Sequence, residues 1–278
     1  MIFSIVISLL RKATWLSLDI ALSAVIQTNA IAYVFDVELP WTISLALFFC
    51  VWMIYTLDHL LDARKIKGEP SMPRHAFHWK YASTLFTILL SVAFCSLALV
   101  FYLPADTLLW GIVVAGLVGL YLLLTWWLKV FIAKELLIAV LYSVGIFIGP
   151  WSVGLAFSLP TSSIFLILTM LALSNLLLLS LYEKDKDQAD GFSSWATIFG
   201  ESHLKRALQL LYALLFISFG VSLFLAGPDL WFPYLGVMFS MFIILLVLYW
   251  RRDWFQIKEG YRLIGDFIFF LPGFIFLF

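Results

Sequence analysis

Residues 39–65 read LPWTISLALFFCVWMIYTLDHLLDARK. From Leu39 to Leu57 no side chain carries a charge, and the run then closes on Asp58, Asp62, Arg64 and Lys65. As a helix such a run is about 28 Å long, close to the hydrocarbon thickness of a bilayer. Alternation of apolar and polar residues, the mark of a membrane barrel, is absent. The stretch therefore predicts a membrane-spanning helix with a polar end. Outward from it, eight more segments repeat the pattern, giving approximate spans 14–34, 39–62, 79–103, 106–128, 133–157, 161–184, 204–226, 229–250 and 260–278. The turns near Pro104, Pro160 and Gly227-Pro228 are short and suit antiparallel neighbours. Of the 278 residues 64% are apolar and 12% charged, with mean hydropathy +1.04. A soluble domain is nearer half apolar and a quarter charged. The composition excludes a cytosolic enzyme, a secreted disulfide scaffold and a disordered tail. Cys50 and Cys95 sit inside apolar runs and read as small hydrophobes. The expected fold is all-α: a polytopic membrane protein, a single bundle of nine transmembrane helices forming one domain over 1–278.

Net charge is zero, so charge placement carries the information. With nine spans, all seventeen Lys and Arg fall on the side of the N-terminus, while the opposite loops hold only Asp36, Glu38, Asp106 and Asp229. By the positive-inside rule the N-terminus is cytoplasmic and the C-terminus lies on the far side. The run Met1–Leu10 precedes its basic pair Arg11-Lys12, the reverse of a signal peptide, and reads as a short interfacial helix.

Two acidic clusters share that cytoplasmic side. In the first, Asp58 and Asp62 are i and i+4 on one helical face, with Tyr55 a turn deeper. In the second, Ser180-Leu-Tyr-Glu183-Lys-Asp-Lys-Asp187-Gln-Ala-Asp190-Gly191, Glu183 and Asp187 have the same spacing. Either cluster alone is satisfied as a solvated helix end. Two such pairs on one side of a hydrophobic bundle, with many basic residues nearby, point to hard divalent cations and a diphosphate. Mg²⁺ prefers oxygen ligands and completes its shell with water and substrate phosphate. Asp190 falls outside the spacing and is expected outside the site.

These motifs resemble the UbiA superfamily of intramembrane prenyltransferases, which has nine helices and Asp-rich motifs ending helices 2 and 6. Asp58 and Asp62 match the last two acids of the first motif, whose leading Asn-Asp falls on Ile54 and Tyr55. Glu183, Asp187, Gly191, Ser194 and Gly200 match the second, whose earlier acid falls on Ser180. Lys134-Glu135 and Tyr142-Ser-Val-Gly145 resemble family helix 5. The departures place the chain in a divergent branch. The resemblance implies a Mg²⁺-dependent enzyme that ionises a prenyl diphosphate and passes the isoprenoid group to an acceptor. It implies Asp58, Asp62, Glu183 and Asp187 as metal ligands and catalytic residues; Tyr55, where the family has an acid, joins the catalytic candidates because it shares the face of Asp62. Arg64, Arg74, Lys129 and Lys134 would bind the diphosphate. The implied partners are prenyl diphosphate and the bilayer, not nucleic acid; the acceptor and the oligomeric state stay open.

Other polar residues read more plainly. His75 and His78 are expected at the interface, Gln27, Asn29 and Asn175 as bonds between helices, and Asp19 and Asp266 as snorkelled or paired groups. Two alternatives stand beside the transferase. A terpene cyclase of the same superfamily needs the same metal site and no acceptor. A transporter or lipid carrier would use a break in helix 5 at Gly145, Gly149, Pro150 and Gly154.

Overall fold

The computed structural model describes residues 2–66, 68, 70–127, 134–225 and 231–277, and among these there is no strand. The chain forms α1 (Ile2–Trp15), α2 (Leu18–Val34), α3 (Trp41–Lys65), α4 (Pro73–Lys80), α5 (Ala82–Leu99), α6 (Ala105–Trp127) and α7 (Lys134–Ser152). It continues through α8 (Leu159–Asp190), α9 (Trp195–Phe199), α10 (Glu201–Leu225), α11 (Trp231–Trp250), α12 (Arg252–Gln256) and α13 (Gly260–Phe267), which runs on as a 3₁₀ turn to Leu277. Among the described residues eight segments are long and apolar enough to cross a bilayer, and nine if the bent pair α1–α2 is one span. The fold is thus the expected polytopic all-α bundle.

The bend between α1 and α2 is 82°. It turns on Ser17, whose backbone is left-handed at φ 57, and the indole of Trp52 donates to the carbonyl of Leu16 at 2.9 Å. A backbone group freed by the break is thereby satisfied where water is scarce. The basic pair Arg11-Lys12 precedes the bend.

The centre of the bundle is α8. Its Ile164, Ile167, Leu168, Leu171, Leu178 and Leu181 are buried almost completely. Around it pack α7, α10, α11 and α13, while α5 and α6 present exposed apolar faces. The helix opens with Ser158 as N-cap and Pro160 in its first turn, where a missing N–H has no partner to lose. It closes at Gly191, left-handed at φ 75, with the N–H of Phe192 donating to the carbonyl of Asp187 at 2.8 Å. Glycine is needed there because other residues resist positive φ. The helix therefore runs six residues past the predicted end at 184, and the whole second acidic cluster is helical.

The break in helix 5 on which a transporter would rely is not found. Helix α7 continues through Gly145, Gly149 and Pro150 and ends at Ser152, before Gly154 at φ 111. Pro150 lies in the last turn, so it shortens the ladder at its end and leaves the mid-membrane backbone closed. Gly149 serves packing: a Cβ there would lie 2.8 Å from Cγ2 of Ile43. Cross-helix bonds behave as expected at two positions. Asn29 donates to Oγ of Ser44 at 2.9 Å, and Gln27 accepts from the hydroxyl of Tyr234 at 3.2 Å.

Candidate active site

Helical periodicity turns one polar face of several helices toward a common cavity of about 190 Å³. Helix α3 contributes Tyr55, Asp58 and Asp62; α8 contributes Asn175, Ser180, Glu183 and Asp187. Lys134, Glu135 and Tyr142 come from α7, Arg74 and His75 from α4, and Arg262 and Asp266 from α13. Spacings of three, four and seven residues keep each set on one face. The two carboxylate pairs named from the sequence thus wall one cavity, together with Tyr55, Arg74 and Lys134. Arg64 is exposed and does not line it, because its position on α3 falls on the outer face. Lys129 lies outside the described residues.

Six carboxylates line the cavity: Asp58, Asp62, Glu135, Glu183, Asp187 and Asp266; three permanent cations face them, Arg74, Lys134 and Arg262. Part of the excess is held by ion pairs. Lys65 sits 3.0 Å from Asp62. Arg262 pairs with Glu183, and its Nε is 3.9 Å from Asp266. Tyr261 adds a hydroxyl bond to Glu183 at 3.4 Å. The remaining negative excess inside protein walls calls for further cations. Among the described residues no group of three His, Cys, Asp or Glu could hold an ion alone. An all-oxygen donor set split between two walls fits Mg²⁺, which keeps part of its shell for water and phosphate. Ser180, standing where an acid was expected, accepts from the backbone N–H of Ala196 at 3.1 Å. Glu135 accepts from that of Trp195 at 3.1 Å. Together they fasten α9 beside the cavity.

The histidines correct the sequence reading. His75 and His78 are buried, at 3% and 0% exposure, because α4 folds inward as a strap under α3. With His59 they form a ring cluster, centroids 5.0 Å apart for His59–His78 and 6.3 Å for His59–His75. Burial, reinforced by the neighbouring Arg74 charge, pushes His75 down to about 3 and lowers His78 in the same direction. Both are therefore neutral in the folded protein at pH 7. Below about pH 6.5 the unfolded chain takes up protons that the folded one refuses, so stability falls with pH. The slope is up to about 1.4 kcal/mol per pH unit per histidine, and for His75 it continues to about pH 3. Thermal unfolding at pH 7.5 and 5.0 checks this: His75→Gln should lose less stability than the parent across that interval. Equal losses would contradict it.

The strap is tied down by Asp190. Its carboxylate accepts the N–H of Ser71 at 2.9 and 3.2 Å and faces His75 at 3.9 Å. Asp190 does not line the cavity, in keeping with its position outside the motif spacing. What the sequence did not reveal is that it holds the segment carrying Arg74. Removing a charged acceptor from a backbone donor costs about 1.5–3 kcal/mol. Asp190→Ala should raise the KM for an anionic substrate about 10-fold and change kcat less, while Asp190→Asn, which keeps one acceptor oxygen, stays near the parent. A pure kcat defect would assign Asp190 to the chemistry instead.

Below Asp58 the cavity meets a second space, an apolar groove of about 450 Å³ between α3, α5, α6 and α7. Tyr55, Asp58, Ile138 and Tyr142 line both. The groove descends α3 from Asp58 to Ile43, about 22 Å along the helix axis. Exposed Leu97 and Ile112 on its rim open it toward lipid. At Gly111 and Gly145, both lining it, an added Cβ would meet nothing within 4 Å.

No protein-family model and no curated sequence matches this chain. Solved structures do. A UbiA homologue from Archaeoglobus fulgidus bound to DMAPP and Mg²⁺ superposes with a TM-score of 0.66 at 14% identity, over 95% of this chain and 96% of that one. A UbiA homologue from the same organism bound to GPP and Mg²⁺ gives 0.67 at 12% identity, over 97% and 98%. A digeranylgeranylglyceryl phosphate synthase gives 0.58 at 14% identity, over 95% and 96%. Across nearly its whole length, this chain has the fold of the UbiA homologues.

Proposed function

We propose that the chain is a member of the UbiA superfamily that ionises a prenyl diphosphate and transfers the isoprenoid group within the membrane. The observation that carries this reading is the junction at Asp58, where a cavity with two carboxylate pairs opens into a long apolar groove. The solved neighbours bound to DMAPP or GPP with Mg²⁺ support the same substrate class. Asp58 and Asp62 on one wall and Glu183 and Asp187 on the other would hold Mg²⁺, which when bound neutralises charge on the departing diphosphate. Arg74 and Lys134 bind the phosphate oxygens from the strap and from α7. The groove takes the prenyl tail and excludes water from the allylic carbon. Tyr55, at the junction, presents its ring to the developing cation, an attraction that desolvation strengthens. The assay is diphosphate release from geranylgeranyl diphosphate by purified protein in lipid nanodiscs, with and without Mg²⁺. Absence of Mg²⁺-dependent release would end the reading.

The basic asymmetry further supports a multi-pass protein with the N-terminus and both acidic pairs on the cytoplasmic side. In a chain with Cys50 and Cys95 replaced, Asp36→Cys and Asp106→Cys should react with an impermeant thiol reagent from outside the cell. Lys80→Cys and Arg206→Cys should react only from the cytoplasm. Labelling of all four from one side would overturn this orientation.

A further inference from the structure

On each wall of the cavity, one of the carboxylates that would hold a metal has an oxygen already engaged. On α3, Lys65 Nζ lies 3.0 Å from Asp62 Oδ1. On α8, Arg262 and the hydroxyl of Tyr261 both bond to Glu183, and both take the same oxygen, Oε1. In Asp62 and in Glu183 a basic side chain of the protein thus takes one oxygen and leaves the second.

Lys65 is itself held from behind. Its ammonium donates to the carbonyl of Thr125 at 3.3 Å and lies 5.7 Å from the ring centroid of Trp126. Both belong to the last turn of α6, where unpaired carbonyls and the helix dipole favour a cation. Asp62 lines the cavity and Lys65 does not. The ammonium therefore stands behind Asp62, tied to α6. A lysine loses rotamer freedom when it pairs, and the anchor on α6 limits that loss. The grip on Asp62 is firmer than that of a free surface pair.

The oxygens left over decide which cation fits. Ca²⁺ takes about six to eight oxygens and accepts a carboxylate through both of its oxygens at once. Mg²⁺ requires near-octahedral order, which a carboxylate meets through a single oxygen. We propose that Lys65 and Arg262 hold Asp62 and Glu183 to single-oxygen coordination and so make the site select Mg²⁺ over Ca²⁺. Lys65 is in this sense a positioning residue that acts through Asp62. The proposal rests on the prenyl-diphosphate reading, which supplies the ligand set. A neighbouring ammonium weakens any divalent cation by repulsion, but it weakens Ca²⁺ more, because Ca²⁺ also loses a ligand oxygen. Selectivity is that difference.

The test uses full-length protein in phosphatidylcholine nanodiscs, without substrate. Bound Mn²⁺ is read by electron paramagnetic resonance and displaced with Mg²⁺ or Ca²⁺, which gives a dissociation constant for each. Lys65→Met keeps the reach of the side chain and removes its charge and donors. In it the ratio of the Ca²⁺ constant to the Mg²⁺ constant should fall about 10-fold, the lower range for loss of a partner of a metal ligand. Lys65→Arg keeps the charge and donors and should stay within about 2-fold of the parent ratio. Trp126→Leu loosens the anchor and should move the ratio in the direction of Lys65→Met by a smaller factor, a second reading should Lys65→Met fail to fold. An unchanged or raised ratio in folded Lys65→Met overturns the proposal. So does an equal loss of both ions, which would make Lys65 a general support of the helix end. Mg²⁺-dependent release of diphosphate from geranylgeranyl diphosphate is measured on the same proteins. If release persists while the ratio stands still, the proposal fails and the prenyl-diphosphate reading stands. A parent protein that binds no Mn²⁺ and releases no diphosphate would bring down both.

Discussion

Asp58→Asn and Asp187→Asn should each lower Mg²⁺-dependent diphosphate release about 1000-fold, a loss of about 4 kcal/mol of transition-state stabilisation. The two residues lie on opposite helices, α3 and α8, yet line one cavity. An amide keeps the volume of the side chain and one acceptor oxygen. It loses the charge that holds a hard cation. The decisive measurement is turnover against Mg²⁺ concentration, beside thermal unfolding of each variant. Folded variants with full turnover would return the acidic pairs to the status of solvated helix ends.

Arg262→Met should destabilise the protein by about 3–5 kcal/mol, because it strands the Glu183 charge inside the bundle. The pair is nearly enclosed, with side-chain exposures of 14% for Arg262 and 11% for Glu183. Methionine has a similar reach, so little of the effect would come from a void. The double variant Arg262→Met/Glu183→Gln should regain most of the loss, since neither partner then carries a charge. Equilibrium unfolding in mixed micelles reads both. An Arg262→Met protein within about 1 kcal/mol of the parent would mean that water already reaches Glu183.

The fold was legible because lipid imposes a coarse rule. Apolar runs of bilayer length between charged turns mark the spans, and the placement of seventeen basic residues sets their parity. The acidic pairs were legible for a similar reason: spacing of four on a helix puts side chains on one face without any tertiary knowledge. What escaped needed contacts between distant segments. His75 lies in a short polar stretch that looks interfacial until α4 folds under α3. Arg262 and Asp266 sit four apart near the start of the last span, a spacing that marks a polar face but does not say which helix it meets. Arg64 is only two residues past Asp62 and yet lies on the outer face of α3, two residues turning a side chain by about 200°. Ser180 stands where the resemblance places an acid and instead accepts from the N–H of Ala196, a role with no sequence signal.

Helix α8 is 32 residues long, about 48 Å, against a hydrocarbon core of about 30 Å. Its carboxylates therefore stand at the edge of the bilayer, where two immiscible phases meet. A prenyl transfer carried out there sorts its own products. Diphosphate dissolves into the aqueous phase and is diluted away, while the prenylated molecule stays in the lipid phase. The two halves needed for the reverse reaction would then be parted by solubility, and the helix that overhangs the membrane would give the proposed reaction its direction.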